Sequence, residues 1–91
     1  ESYGTDFVKD QKAKEPLFNL EEQEEKELLT NAIAELPCKE RLVITLYYYE
    51  DLLLKEISSV MGISESRVSQ LHHRALFLLR AKIGKISAFA T

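Results

Sequence analysis

Residues 64–74 carry the side chains in this sequence best suited to reading the chemistry of another molecule. Around the apolar positions Val68 and Leu71 stand Ser64, Glu65, Ser66, Arg67, Ser69, Gln70, His73 and Arg74: short hydroxyls, one acid, one amide, an imidazole and two guanidiniums. Set on one helix, these groups match the edges of base pairs in a major groove, Arg with guanine, Gln with adenine, Glu with N4 of cytosine and Ser with base or phosphate. A merely solvated face usually carries long Glu–Lys pairs at i,i+4, and none occurs here before Arg74. Lys39 and Lys55, at the starts of two earlier helices, are placed to reach flanking phosphates, and helix N-termini add amide donors for the same oxygens. For each lysine, simple solvation is an equal alternative.

Other chemistries are poorly supplied. Cys38 is the single cysteine, which excludes an internal disulfide framework and a zinc ribbon. His72 and His73 are adjacent and so diverge by ~100° on a helix, with Cys38 remote in sequence, so no metal site is expected. No nucleophile–base spacing, glycine-rich phosphate loop or paired carboxylate in an apolar setting is present, and the expectation is a non-enzyme without cofactor or small-molecule substrate. Tyr47, Tyr48 and Tyr49 read as core and rim packing rather than as a stacking platform for single strands.

The elements that must position this set follow from apolar spacing. Asn19, with Glu22 in capping-box spacing, predicts a helix start, and Glu21, Glu22, Glu24 and Glu25 suit its positive end. Leu28, Leu29, Ala32, Ile33 and Leu36 form its apolar stripe, and Pro37 separates it from a second helix over 38–49. That helix buries Leu42, Val43, Leu46 and Tyr47 on one face, with Ile44 and Tyr48 on a flank, so it is apolar on two sides. Glu50–Asp51 breaks the pattern. A short third helix over about 53–61 buries Ile57, Val60 and Met61, and Gly62 follows where a positive φ ends helices at least cost. Ser64 caps a long fourth helix reaching Ile83 or Lys85, with Val68, Leu71, Ala75, Leu78, Leu79 and Ile83 or the stem of Lys82 inward. Ile57, Met61, Ile63, Val68 and Leu71 fill the wedge around Gly62, and Ser58 is small where the helices approach. Two helices joined by such a turn define a helix-turn-helix. The fold class is all-α, a small domain of four helices with the last one long.

Composition agrees and adds one asymmetry. The chain has 91 residues with 45% hydrophobic and 30% charged content and only three Gly and two Pro, which fits one small helical domain. No apolar run approaches the ~18 residues of a membrane span, no signal peptide opens the chain, and the lack of an initiator Met reads as a piece of something longer. Net charge is −3, but residues 1–53 hold six basic against thirteen acidic residues (−7) and residues 54–91 hold six against two (+4). A basic half is what a polyanion-binding face looks like. Residues 1–19 show no sustained period and read as a linker whose Tyr3, Phe7, Val8, Leu17 and Phe18 dock on a partner, or as a frayed terminus.

The segment Leu36–Ile83 resembles region 4, the C-terminal DNA-binding region, of bacterial RNA polymerase sigma factors of the sigma-70 family. LPCKERLVITLYYYEDLLLKEIS resembles the opening of that region, and SESRVSQLHHRALFLLR is similar to the recognition helix of the flagellar or motility class. The resemblance covers about 28–84. It implies recognition of the promoter −35 element, with Glu65, Ser66, Arg67, Ser69, Gln70 and Arg74 at groove-facing positions. Ser66 and Ser69 depart from the Arg or Glu of housekeeping factors, which implies a different −35 sequence. It further implies contact of an apolar face with the β-subunit flap of the polymerase core, or with an anti-sigma factor, for which Leu42, Leu46, Tyr47, Phe77, Leu78, Ala81 and Ile86 are candidates. A bacterial cytoplasmic location follows, with 1–19 a linker from the preceding sigma region, 20–86 the domain and 87–91 a tail. A pI near 5.4 counts against an autonomous DNA binder, for which a basic domain is expected, more than against a module tethered to polymerase. Two other readings stay open: a protein-only helical bundle, and a response-regulator domain whose last helix dimerises through Phe77, Ile83 and Ile86.

Overall fold

The computed structural model describes residues 17, 18 and 20–90, with side chains described to residue 84. Among these residues the chain forms α1 (Gln23–Ala34), α2 (Cys38–Ile44), α3 (Leu54–Met61) and α4 (Glu65–Ala90), and α2 runs directly into a π-helical turn (Thr45–Tyr49). No strand occurs among the described residues, in line with the all-α expectation.

The first helix starts later than expected. Its cap is Glu22, in extended conformation, with the Lys26 N–H bonded to the Glu22 carbonyl at 3.1 Å; Asn19, expected there, lies outside the described residues. Leu17 and Phe18 pack against the core, and residues 20–22 are not helical. That packing corrects the expectation that these two side chains await a partner; Tyr3, Phe7 and Val8 lie outside the described residues. Glu24 and Glu25 occupy the first turn, where the dipole favours them. Ala32, Ile33 and Leu36 are buried as the stripe requires, whereas Leu28 stays on the rim.

Two apolar clusters organise the domain, and α2 lies between them. One joins Ala32, Ile33, Leu36 and Ile44 to Ala75, Leu79 and Ile83 of α4. The other joins Val43 to Ile57, Val68 and Leu71, with Leu54, Met61 and Ile63 around it. Val43 and Ile44 are both fully buried while Leu42 is 41% exposed, so the helix is apolar on two sides as expected, but Leu42 does not belong to the buried face assigned to it. The reason is geometric. Consecutive residues differ by ~100° around a helix, so a helix buried on two sides centres its apolar arc between 43 and 44 and leaves 42 outside. Val60 is likewise exposed, not buried, because Leu54, Ile57 and Met61 already cover the one face that short α3 can present to α4.

The π-helical turn is where the second helix departs most from expectation. The Glu50 N–H bonds to the Thr45 carbonyl at 3.1 Å and the Leu52 N–H to the Leu46 carbonyl at 3.0 Å, closing wider loops than the i→i−4 bond of an α-turn. Widening sends Tyr47 to the turn-motif cluster and Tyr48 to the other. Asp51 then reverses the chain at φ 63°, a left-handed conformation that Asp tolerates better than most residues.

α4 spans both clusters, with Val68 and Leu71 in one and Ala75, Leu79 and Ile83 in the other. It also runs past its expected end at 83 or 85, to Ala90. A lone Gly84 costs ~1 kcal/mol relative to Ala inside a helix, too little to stop one that meets no proline. Across the domain, Lys82 pairs with Glu35 just beyond α1, and Arg41 donates to the Ala34 carbonyl at 3.1 Å, satisfying an orphan group at the end of α1.

Candidate nucleic-acid interface

The turn that aims α4 is built by Ser58, Gly62 and Ser64. Gly62 sits at φ 70°, ψ 32°, the left-handed conformation that costs glycine nothing. Its N–H and that of Ile63 both bond to the Ser58 carbonyl, at 2.9 and 3.2 Å, a closure typical of helix C-termini. The Ser58 hydroxyl donates to the Ile63 carbonyl at 2.5 Å. Ser58 therefore does more than leave room, since it locks the turn from both its backbone and its side chain. Ser64 caps α4 as expected, its Oγ accepting from the Arg67 N–H at 3.1 Å. α3 is capped by a group the sequence reading passed over: Glu56 Oε1 accepts from the Leu53 N–H at 2.8 Å, and the signal was an acid three residues past the cap.

On this frame Ser66, Arg67, Gln70, His73 and Arg74 are exposed along α4, Ser64 is exposed at its cap, and Glu65 and Ser69 are half-buried. The spacing 67, 70, 74 places both guanidiniums and the amide on one face. Arg67 Nη1 donates to Gln70 Oε1 at 3.3 Å, so these two present a joined donor–acceptor edge. His73 Nδ1 donates to the Ser69 carbonyl at 3.0 Å, which fixes its ring against the helix. Lys39 and Lys55 are exposed in the first turns of α2 and α3.

Arg74 is not simply free to solvent. Its Nε lies 3.1 Å from Oε2 of Glu40, with the Arg74 side chain 65% and the Glu40 side chain 9% exposed. Glu40 drew no attention in the sequence, although it stands three and four residues before the buried pair Val43 and Ile44, on the inward side of α2. His72 also has a role that composition hid. Its Nε2 and the Tyr48 hydroxyl are hydrogen-bonded at 2.9 Å, and its ring lies 5.1 Å from that of Tyr47, which stands edge-on to Tyr48. The π-helical turn thus grips α4 through aromatic contacts.

The apolar candidates for protein contact divide. Leu42 and Ala81 are exposed and Phe77 is 69% exposed. Leu46 and Tyr47 are half-buried against the turn-motif cluster, and Leu78 against the other, so part of their surface serves the chain's own core. The side chain of Ile86 lies outside those described.

A small all-α domain in which a capped helix leaves a left-handed glycine turn after a short one is a helix-turn-helix domain. The family model for sigma-70, region 4 matches residues 32–81, more than half of the sequence, and the chain belongs to that family. It is 51% identical over 71 residues to the RNA polymerase sigma factor FliA of Salmonella typhimurium, covering 78% of this chain and 30% of that protein. It is 52% identical over 69 residues to the FliA sigma factor of Pseudomonas aeruginosa, covering 76% and 28%. With the RNA polymerase sigma-D factor of Bacillus subtilis the identity is 47% over 58 residues, covering 64% and 23%. The chain thus spans about 30% of the length of the first of these relatives. No solved structure matches the chain.

Proposed function

We propose that this chain is the promoter-reading module of a sigma factor of the flagellar class, placing α4 in the major groove of the −35 element so that RNA polymerase initiates there. The observation that carries the reading is the row Ser66, Arg67, Gln70, His73 and Arg74, exposed on a helix whose opposite face is anchored in the core. Arg67, joined to Gln70, is the natural base reader, because a guanidinium forks onto guanine O6 and N7. Lys39 and Lys55 flank it as phosphate contacts. Glu65 and Ser69, half-buried, contribute less direct readout than exposed Ser66, Arg67 and Gln70.

The partners follow from the same reading. Exposed Leu42 and Phe77 offer apolar contact to the β-subunit flap of the polymerase core or to an anti-sigma factor, and the protein works where polymerase works, in the bacterial cytoplasm. The acidic first half repels a duplex, so promoter affinity depends on tethering to polymerase, which makes the −35 contact intramolecular.

The experiment is binding of the full sigma factor, assembled with core polymerase, to promoter duplexes with intact or scrambled −35 elements across a salt series. A loss of affinity on scrambling supports the reading. Equal affinity for both duplexes, with polymerase binding retained, would leave a protein-only interaction domain.

A further inference from the structure

We infer that Glu40 is a positioning residue for DNA contact, holding Arg74 so that its guanidinium meets a backbone phosphate beside the groove. The inference rests on the promoter-binding reading above and adds a residue that does not itself face the duplex. Among the described residues, Glu40 is the one charged residue that is buried, at 7% exposure. A buried ion pair commonly adds nothing to stability over an apolar pair of the same volume, so stability alone does not account for a carboxylate there.

Geometry supplies the account. Glu40 takes the Nε side of Arg74 at 3.1 Å while the arginine side chain stays 65% exposed. A guanidinium carries one donor at Nε and four at its two Nη atoms, in a rigid planar fork. Anchoring the Nε edge immobilises the long side chain in advance and leaves the terminal fork for an oxyanion. The location selects phosphate over base. Arg74 lies in the third turn of α4, whereas base contacts in this motif come from the N-terminal residues of the recognition helix. Pairing also neutralises a carboxylate that would otherwise repel the duplex.

A double-mutant cycle in the full sigma factor bound to core polymerase tests this, using Glu40→Gln, Arg74→Ala and both together, with Glu40→Leu as the volume-matched substitute should Glu40→Gln fail to fold. Affinity for promoter duplexes is read over about 50–200 mM salt. Arg74→Ala is expected to weaken binding alike on matched and base-substituted duplexes and to lower the salt slope by about one. Glu40→Gln is expected to weaken binding about three- to tenfold in the parent and not at all in the Arg74→Ala background. Equal losses in both backgrounds would show that Glu40 merely supports the fold, and would overturn the inference while leaving the promoter reading intact. A loss confined to one base pair would overturn the phosphate assignment. Absence of any −35 dependence in the parent assembly would remove the promoter reading and this inference with it.

Discussion

Replacing Gly62 by alanine isolates what the turn requires of its central residue. At φ 70°, Gly62 occupies the left-handed region, and a Cβ built on it meets nothing within 4 Å. No steric clash therefore enters, and the cost is conformational. The left-handed region disfavours an L-residue by ~1–2 kcal/mol, while alanine returns ~0.4–1 kcal/mol by narrowing the unfolded ensemble. Taken at the middle of each range, the net loss is ~0.8 kcal/mol. For a domain of this size 1 kcal/mol shifts Tm by roughly 4–8 °C, so Gly62→Ala should melt several degrees lower in a circular-dichroism scan, with its cooperativity kept. Gly62→Asn should lose less, because Asn tolerates the left-handed region. Promoter binding by the folded variant should match the parent, since neither wedge nor cap is touched. A loss above ~4 kcal/mol would mean that the open space beside Gly62 is not open. Identical melts for parent and alanine variant would mean that the positive φ carries no strain, and the reasoning would fail in the other direction.

Three further outcomes test other links. Val68 is fully buried between α3 and α2, so Val68→Asp places an unpaired charge in the wedge and should abolish the cooperative thermal transition; a melt near the parent's would refute the wedge. Ser64→Ala removes the cap acceptor of the Arg67 N–H and should lower unfolding free energy in urea by ~1 kcal/mol, an expectation that unchanged midpoint and slope would contradict. Arg67→Ala should cost ~1–3 kcal/mol at one base pair of the −35 element and relax preference there, as read by polymerase binding to single-base-substituted duplexes; an unaltered preference profile would take Arg67 out of the groove.

The difference between Arg67 and Arg74 shows how far linear spacing reaches. Both stand on the same helical face by offset alone, and both read equally well as groove contacts. Position along α4 separates them by turn, and the crossing of α2 over α4 adds what spacing does not show, bringing a buried carboxylate to Arg74 and leaving Arg67 to a neighbour one turn away on its own helix. The same limit explains Leu42 and Val60. Apolar type placed them in stripes, but which arc of a helix is covered depends on how many neighbours surround it, and α2 has neighbours on two sides.

What the amino-acid order determined by itself was local. Gly62 set a left-handed turn, Ser64 a cap, and the recurrence of Ile57, Val68 and Leu71 a wedge, because each rests on interactions within a few residues or on the period of one helix. Tertiary structure alone decided the π-helical turn at Thr45–Tyr49, the pairing of Tyr48 with His72 and the burial of Glu40 against Arg74. Those contacts join residues 24 and 34 positions apart, and no periodicity within a single helix specifies which side chains two crossing helices bring together.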